Sequence, residues 1–442
     1  MLRDSRDLET SAPSRAALEG FEQATTLMAG FFADPLAKID AVLAEHPDFP
    51  LAHAFRANLM VSSSEAGAVP EIRKSVAAIA DSRSATDRDR AHAAAASAWA
   101  DGDFDLASAR YDAIVKEWPR DLMALQFAHQ LDFLTGDRDG LAATPAFVLD
   151  HWRGAGLPGE GYVHGMLAFG QEENADYARA EDSGRRAVEH EPRDAWAIHA
   201  VAHVMEMQGR DRDGAKWLTT RSADWAPENM LAYHNWWHLA LYHLERHDTA
   251  AALDLYDGPI RMQGSTIAME MVDASAMLWR LALRGVDVGA RWQELADCWA
   301  TQTPGFYAFN DVHAVIAFAS ASRHADAEAT LDAMHRATFG GGTNAVASEQ
   351  VGLRLGCGIA AFVRGDYATA VQLLAPLPSV ARRMGGSNAQ RDLISLTLVE
   401  AALRAGMRDT AARLTRERLA AKPESPFARM LAVRSGGLAL AA

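Results

Sequence analysis

Apolar residues recur at three- and four-residue steps through almost the whole chain, and glycine and charged residues separate the apolar runs. This spacing places apolar side chains on one face of a helix, and the alternation typical of strands is missing. The clearest stretch, DGDFDLASARYDAIVKEWPRD, turns at Gly102 and ends at Pro119. Within it, Ala107, Tyr111 and Ile114 form one apolar stripe. The pattern predicts pairs of antiparallel helices.

The same layout returns in RGDYATAVQLLAPLP, which turns at Gly365. Looser versions turn at Gly136, Gly209, Gly285 and Gly406, and near residues 172, 246 and 323 the glycine is displaced or replaced. These stretches resemble the tetratricopeptide repeat, a helical hairpin of about 34 residues. The resemblance implies an all-α, right-handed superhelical solenoid of about ten hairpins.

The domain organisation predicted from these repeats is a single solenoid with one interruption. Residues 1–17 are expected to be a flexible N-terminal tail, and residues 18–337 the main solenoid. The glycine-rich segment 338–348 is the expected break, followed by C-terminal repeats and a cap over 349–442.

A more specific resemblance covers most of the chain. The strings WAIHAVAHVMEMQGR, HNWWHLALYHLE, LYDGPI, FNDVHAV and GGSNAQRD are similar to the tetratricopeptide repeat protein 38 family. That resemblance implies a helical superhelix but supplies no settled biochemical function. The functional prediction must therefore come from the residues.

Charge and cysteine content narrow the functional classes. The net charge of −15 over 442 residues opposes binding to phosphate backbones, so no nucleic-acid partner is expected. Cys298 and Cys357 are far apart and form no CxxC pair, which is typical of a reduced, cytoplasmic protein. The N-terminus is too polar for a secretory signal, and no membrane partner is expected.

Histidines recur along the chain at about the length of one repeat. The series is His53, His92, His129, His164, His199, His234, Asp273 and His313, at steps of 39, 37, 35, 35, 35, 39 and 40 residues. Residues that recur with a repeat occupy equivalent places on successive helices. Counting back from the turn glycines puts most members on the first helix of a hairpin, which in tetratricopeptide repeats faces the concave groove. Only His129 is out of phase.

The centre of this series contains two HxxxH motifs, His199/His203 and His234/His238. Imidazoles four residues apart lie one above the other on a helix and can bind one ion. Two such pairs on adjacent helices would place four imidazoles within about 10 Å, one helix diameter. The motifs predict a site for a divalent transition metal such as zinc, iron or manganese.

Acidic and polar residues near the motifs extend this prediction to catalysis and ligand binding. Asp273, His313, Glu206 and Asp311 are the predicted catalytic or orienting groups. The predicted ligand-binding residues are His164, Trp236, Trp237, Asn235, Asn310 and Arg391. Arg391 follows SNAQ, where Ser387 and Gln390 have the spacing of a capping box. Of the two tryptophans, one is expected to pack between helices and the other to edge the groove.

Two functions remain open at this point. The first is a hydrolase or lyase in which a metal, or a His–Asp pair, activates water against a small polar molecule. The second is a scaffold that binds a peptide or partner protein in the groove. Histidines that merely solvate a water-filled groove are a third interpretation. A homodimer through the apolar C-terminal repeat is a further expectation.

Overall fold

The computed structural model describes residues 1–261 and 264–436, and the regular secondary structure of these residues is almost all helical. A short antiparallel hairpin opens the chain, with strands β1 (Leu2–Arg3) and β2 (Glu9–Thr10). The helices that follow, up to residue 225, are α1 (Arg15–Gly30), α2 (Pro35–Glu45), α3 (Pro50–Val61), α4 (Val69–Asp81), α5 (Asp87–Ala100), α6 (Phe104–Glu117), α7 (Leu122–Thr135), α8 (Arg138–Trp152), α9 (Glu160–Glu173), α10 (Tyr177–His190), α11 (Ala195–Met207), α12 (Asp211–Thr220) and α13 (Ser222–Trp225).

The rest of the chain continues in the same way. Its helices are α14 (Ala232–Glu245), α15 (Thr249–Leu255), α16 (Ala268–Leu283), α17 (Arg291–Trp299), α18 (Ala308–Ser320), α19 (His324–Ala337), α20 (Thr343–Ala347), α21 (Leu353–Val363), α22 (Tyr367–Leu374), α23 (Asn388–Arg404), α24 (Arg408–Ala421) and α25 (Pro426–Arg434). Single π turns follow α15 and α20. The prediction of an all-α fold of tetratricopeptide-like hairpins is confirmed.

The residues divide into two compact units. The first comprises Met1–Val201, Ser222–Ala232 and Gly341–Thr343, and the second comprises Ala202–Arg221, Tyr233–Gly340 and the chain from Asn344 onward. This division differs from the predicted solenoid with a break at 338–348. Contacts between helices distant in sequence define the units, and a glycine-rich string does not reveal such contacts.

In the first unit, consecutive helices from α1 to α10 pack against each other, and α3 also contacts α5 and α7. Buried aromatic side chains fill the spaces between the hairpins. Trp99 stacks on Phe104 with a centroid distance of 5.3 Å, and the Trp152 indole donates to the carbonyl of Pro119 at 2.8 Å. Large aromatic rings with a satisfied N–H stabilise such a core strongly.

In the second unit, α16, α18 and α21 pack side by side, with α17, α19 and α22 beside them. Helix α23 packs on α16, so segments far apart in sequence meet there. The Trp279 indole on α16 donates to Thr397 on α23 at 2.8 Å, and both side chains are buried. The position of α16 relative to α23 is important because both helices contribute to the candidate site.

The turns between helices follow the predicted positions. The six predicted turn glycines all have positive φ, between 69° and 83°. Where glycine was displaced or replaced, Ala175, His247 and Ser322 adopt positive φ instead, at 62°, 63° and 59°. This left-handed conformation costs a residue with a Cβ roughly 1–2 kcal/mol. The repeat geometry is therefore kept at these turns despite a local cost.

The N-terminus differs from the expected flexible tail. Asp4 and Arg6 are buried, and the Asp4 carboxylate accepts hydrogen bonds from the backbone N–H groups of Arg6 and Leu8 at 3.0 and 2.9 Å. Sequence polarity suggested a solvated segment. Its charged residues are instead satisfied within the fold, and α1 begins at Arg15 with Ser14 as its N-cap.

One helical stretch among the described residues, Thr343–Val363, is long and apolar enough to span a membrane by length and composition alone. The stretch is long because α20, a π turn and α21 run on as one helix. Its most apolar window is 61% buried inside the protein, and core helices of folded proteins pass the same test. The stretch is therefore weak evidence for a membrane span.

Candidate metal centre

Helix α14 carries His234 and His238 one turn apart on a buried face, where each ring has a carboxylate partner. The Nδ1–H of His234 donates to Asp273 Oδ2 at 2.5 Å, and the Nδ1–H of His238 donates to Glu206 Oε2 at 3.0 Å. Asp273 lies on α16 and Glu206 on α11. A carboxylate at Nδ1 fixes both the tautomer and the orientation of an imidazole.

The two rings point their other nitrogens at each other. The Nε2 atoms of His234 and His238 are 3.3 Å apart, and the ring planes are almost perpendicular, at 89°. Since each Nδ1 carries the proton that its carboxylate accepts, each neutral ring presents a lone pair at Nε2. Two facing lone pairs repel, so a shared proton or a cation between them would stabilise the arrangement.

His203 on α11 joins this pair. Its ring centroid is 4.4 Å from that of His238, and one ring nitrogen from each of the three histidines lies within 4.8 Å of the others. His203 and His238 are fully buried and His234 is 8% exposed. The predicted proximity of His203, His234 and His238 is therefore present in the second unit.

His199, the fourth predicted metal ligand, lies one turn before His203 on the same helix. By its contacts it belongs to the first unit. Its buried ring packs on Trp196 and Phe169, with centroid distances of 4.9 and 5.5 Å.

Asp273 is held from both sides. While Oδ2 accepts from His234, Oδ1 accepts from Gln390 Nε2 at 3.4 Å. The Gln390 side chain points its Nε2 at Asp273 because its Oε1 accepts the N–H of Ser387 in the predicted capping box at the start of α23. The capping box is confirmed, and it also orients an acidic residue of the histidine cluster.

Trp237 and Arg280 form the next layer around the cluster. The Trp237 indole stacks on His234 at a centroid distance of 5.4 Å, and the Arg280 guanidinium lies 5.1 Å from the indole centroid. Arg280 donates to the carbonyl oxygens of Ala276 and Ala389 at 3.2 and 2.7 Å. This cation and the buried surroundings oppose further positive charge on the rings.

Burial, followed by His203, His234 and Arg280, holds the pKa of His238 well below its ordinary value. Burial also lowers the pKa of Arg280. His238 is therefore a neutral ring near pH 7, the form that binds metals.

Helix α18 places three further predicted residues, His313, Asp311 and Asn310, and buries all of them. The His313 Nδ1–H donates to the carbonyl of Phe309 at 2.7 Å, and its Nε2 has no hydrogen-bond partner among the described residues. Burial lowers the pKa of His313 to about 4. Asp311 accepts the backbone N–H of Gly305 at 3.0 Å, and burial raises its pKa to about 7.

The remaining predicted ligand-binding residues of the second unit differ in their environments. Asn235 and Trp237 are fully buried, whereas Trp236 is partly exposed. Arg391 donates to the Gly386 carbonyl and to Asn388 Oδ1, so it stabilises the start of α23.

The earlier histidines of the series lie in separate environments in the first unit. His92 bridges Asn58 and Asp121 at 2.8 and 2.9 Å, and Tyr111 donates to Asn58 at 2.5 Å. His129 Nε2 accepts from the Trp196 indole at 3.2 Å, and burial lowers its pKa to about 3. His92 and His129 are buried, so solvation of an open groove does not describe them, whereas His53 is partly exposed.

His164, a predicted ligand-binding residue, belongs to a second possible metal group. Ligand atoms of Glu160, His164 and His190 lie within 4.8 Å of each other. His164 is buried but His190 is exposed. This group offers a natural control for the central cluster.

Two contributors to the central cluster were missed by sequence reasoning. Arg280 follows Asp273 by seven residues, a spacing that keeps both on one face of α16, so this signal was available. Gln390 is 117 residues from Asp273 and sits in a motif that predicts only a helix start. No local signal could have placed it.

Comparison with known proteins adds little to this description. No family model matches the chain. It is similar to the Cut9–Hcn1 hetero-tetramer of the APC/C, with 12% identity, 94% of this chain and 69% of that chain covered, and a TM-score of 0.44. It is also similar to the human IFIT1 dimer with PPP-AAAA, with 10% identity, 99% of this chain and 97% of that chain covered, and a TM-score of 0.41. The P58(IPK) TPR domain is similar with 13% identity, 89% of this chain and 99% of that chain covered, and a TM-score of 0.22. Scores this low carry no argument, so the fold assignment rests on the helical hairpins themselves.

Proposed function

We propose that this chain is a helical-repeat binding protein whose second unit holds a divalent transition metal on His203, His234 and His238. The observation that carries the proposal is the 3.3 Å separation of two Nε2 atoms whose rings are both held by carboxylates at Nδ1. A tetrahedral metal with nitrogen ligands at about 2.05 Å requires neighbouring nitrogens about 3.35 Å apart. The rings are thus spaced as ligands of one ion.

The carboxylates support the same proposal. In metal sites the ligand histidine usually donates its second N–H to a carboxylate or carbonyl, which orients the ring and raises its basicity. Asp273 and Glu206 hold these positions here. Imidazole ligands suit zinc and iron, and manganese accepts a mixed set that includes carboxylate.

A hydrolase or lyase is the catalytic form of this proposal. A metal with an open coordination position would make a bound water acidic near neutral pH. Asp273 and Glu206 are occupied by the rings, so they orient rather than accept the proton of the water. His313 is the candidate base that remains, because its Nε2 has no hydrogen-bond partner among the described residues.

Elemental analysis of untagged protein tests the metal. We expect close to one equivalent in the wild type, its loss in His238→Ala, and its retention in His190→Ala, which alters the other histidine group. Circular dichroism would establish that each variant folds, and Glu206→Gln gives a milder second change. Metal-free wild type with no zinc or manganese affinity by calorimetry would contradict the proposal, as would equal loss in both alanine variants.

A scaffold for a peptide or partner protein is the second candidate. Tetratricopeptide-like hairpins favour it, and so do exposed apolar side chains of the second unit, since exposed apolar surface often marks an interface. Phe339 is 78% exposed, Ile267 54% and Val346 44%.

Affinity purification from the native source, with crosslinking, would test this role. A partner lost with Phe339→Ser but kept with Phe147→Ser, which changes a 45% exposed phenylalanine of the first unit, would support it. A partner that binds the His234→Ala variant as tightly as the wild type would show that the scaffold role does not depend on the metal. Equal recovery with both serine variants would count against this surface.

A further inference from the structure

A cavity of about 420 Å³ lies in the second unit between the end of α16 and the helices α23 and α25. One wall is apolar, with Leu283, Leu396, Phe427 and Leu431. Arg284 lies against this wall. Pockets that bind small molecules usually measure about 300–1,000 Å³ and combine an apolar lining with a few polar groups. The cavity meets both conditions.

Arg284 is the unusual residue of this cavity. Its guanidinium carbon lies 3.8 Å from the centroid of the Phe427 ring, and one N–H donates to the carbonyl of Arg280 at 2.9 Å. Its Nε is buried without a hydrogen-bond partner, and it forms no ion pair within the described part of the chain. The residue as a whole is partly exposed. Cations that reach into a protein interior are normally paired directly with an acid, and Arg284 has no such direct pair among the described residues.

The surroundings make the electrostatic imbalance larger. Burial, followed by Arg280 and Arg418, lowers the pKa of Arg284 to about 9, and the carboxylates of Glu245 and Asp392 oppose this effect more weakly. Arg284 therefore remains charged near pH 7. Arg404 and Arg434 also line the cavity, where they share the single carboxylate of Glu400 at 2.8 and 3.0 Å. The lining therefore has excess positive charge in a protein whose net charge is −15.

We propose that this cavity binds an organic anion, with a carboxylate or phosphate head on Arg284 and an apolar body against Phe427 and the leucine wall. A guanidinium presents a planar fork of donors that matches either head group. An inorganic ion would bind the guanidinium but leave the apolar wall without contacts. None of the cavity residues is a ligand of the histidine cluster, so this inference does not rest on the metal.

Calorimetric titration with a matched set of probes tests the inference. Sodium octanoate and octyl phosphate carry both features, octanol lacks the charge, and inorganic phosphate lacks the apolar body. We expect at least one amphiphilic anion to bind with a Kd below about 1 mM, and octanol and inorganic phosphate to bind at least about tenfold more weakly. The preferred head group identifies the source of the anion.

Variants connect that binding to Arg284. Arg284→Met should weaken binding of the anion by at least about tenfold, because the head group would lose its charge-assisted hydrogen bonds. Arg284→Lys keeps the charge but loses the fork and should fall between wild type and Arg284→Met. It also serves if Arg284→Met fails to fold. Arg408→Met, an exposed change at the start of α24, should bind as wild type.

Three results would overturn the inference. These are octanol binding as tightly as the anions, no anion binding below about 1 mM, or unchanged affinity in the Arg284 variants. The metal content of every variant should match the wild type, so failure here leaves the metal proposal to its own test.

Discussion

Asp194 offers a quantitative test of the structure that does not depend on any ligand. This residue precedes α11, and its Oδ1 accepts the backbone N–H of Ala197 at 2.9 Å. The side chain is 1% exposed, and Oδ2 has no hydrogen-bond partner among the described residues. Burial raises the pKa of Asp194 to about 7, and Glu191 adds to the effect. Asp194→Asn keeps the shape and the cap while removing the charge.

The sign and size of the effect follow from the two pKa values. An unfolded aspartic acid titrates near about 3.9, so between about pH 4 and pH 7 the folded chain binds more protons than the unfolded chain. Stability is therefore highest below this window and falls as pH rises through it. Full ionisation costs about 4 kcal/mol at about 1.36 kcal/mol per unit of pH, and the change between about pH 5 and pH 8 is about 2.5 kcal/mol.

Urea denaturation from about pH 5 to pH 8 would measure this cost. The free energy of unfolding of Asp194→Asn should gain about 2.5 kcal/mol over the wild type across this range. Asp34→Asn is the matched control, because Asp34 caps α2 through an equivalent contact at 2.9 Å but is exposed. A constant difference between Asp194→Asn and wild type at all pH values, or a difference that shrinks as pH rises, would refute the reasoning.

Three further substitutions test other parts of the structure. Asp273→Asn should weaken metal binding by about 10–100-fold in chelator competition, because the amide cannot accept on both sides. Tyr111→Phe should lower the free energy of unfolding by about 1–3 kcal/mol in urea titration, because the buried Asn58 oxygen loses its donor. Gly214→Ala should cost about 1–3 kcal/mol in the same assay, because the new methyl group would overlap the buried Tyr242 ring.

Each of these substitutions has a clear contrary result. Metal affinity of Asp273→Asn equal to that of Asp332→Asn, an exposed change on α19, would remove Asp273 from the site. Wild-type stability of Tyr111→Phe would mean that the hydroxyl makes no net contribution. Gly214→Ala should be compared with Gly67→Ala, whose added Cβ meets no atom within 4 Å. Equal stability of the two variants would contradict the close packing of Tyr242 on Gly214.

Much of the fold could be predicted because the repeat is local. The spacing of Ala107, Tyr111 and Ile114, with Gly102 before them and Pro119 after them, specifies one hairpin without reference to the rest of the chain. The N-terminal hairpin was missed because its order depends on burial of charged side chains. The division into two units was missed for a similar reason, since it depends on contacts between distant helices.

The candidate site was predictable only in part. Helical periodicity placed His234 and His238 on one face, and the repeat length pointed to Asp273 on a later helix. The exact partner of each ring nitrogen depends on how the helices pack, which no periodicity specifies. Arg284 was missed altogether, because it is notable for having no ion pair within residues 1–261 and 264–436, and a sequence shows residues but not their partners.

The contact between Gln390 and Asp273 has a consequence for biosynthesis. A ribosome adds about 5–20 residues per second, so the 117 residues between the two take about 6–23 s. During that interval the nascent chain already contains His234 and Asp273, but not Gln390, whose amide donates to the Oδ1 atom of Asp273. We therefore expect the cluster to reach its final hydrogen bonding only after α23 has emerged and docked. Nascent chains arrested before residue 388 should fold the hairpins yet leave this carboxylate open to solvent.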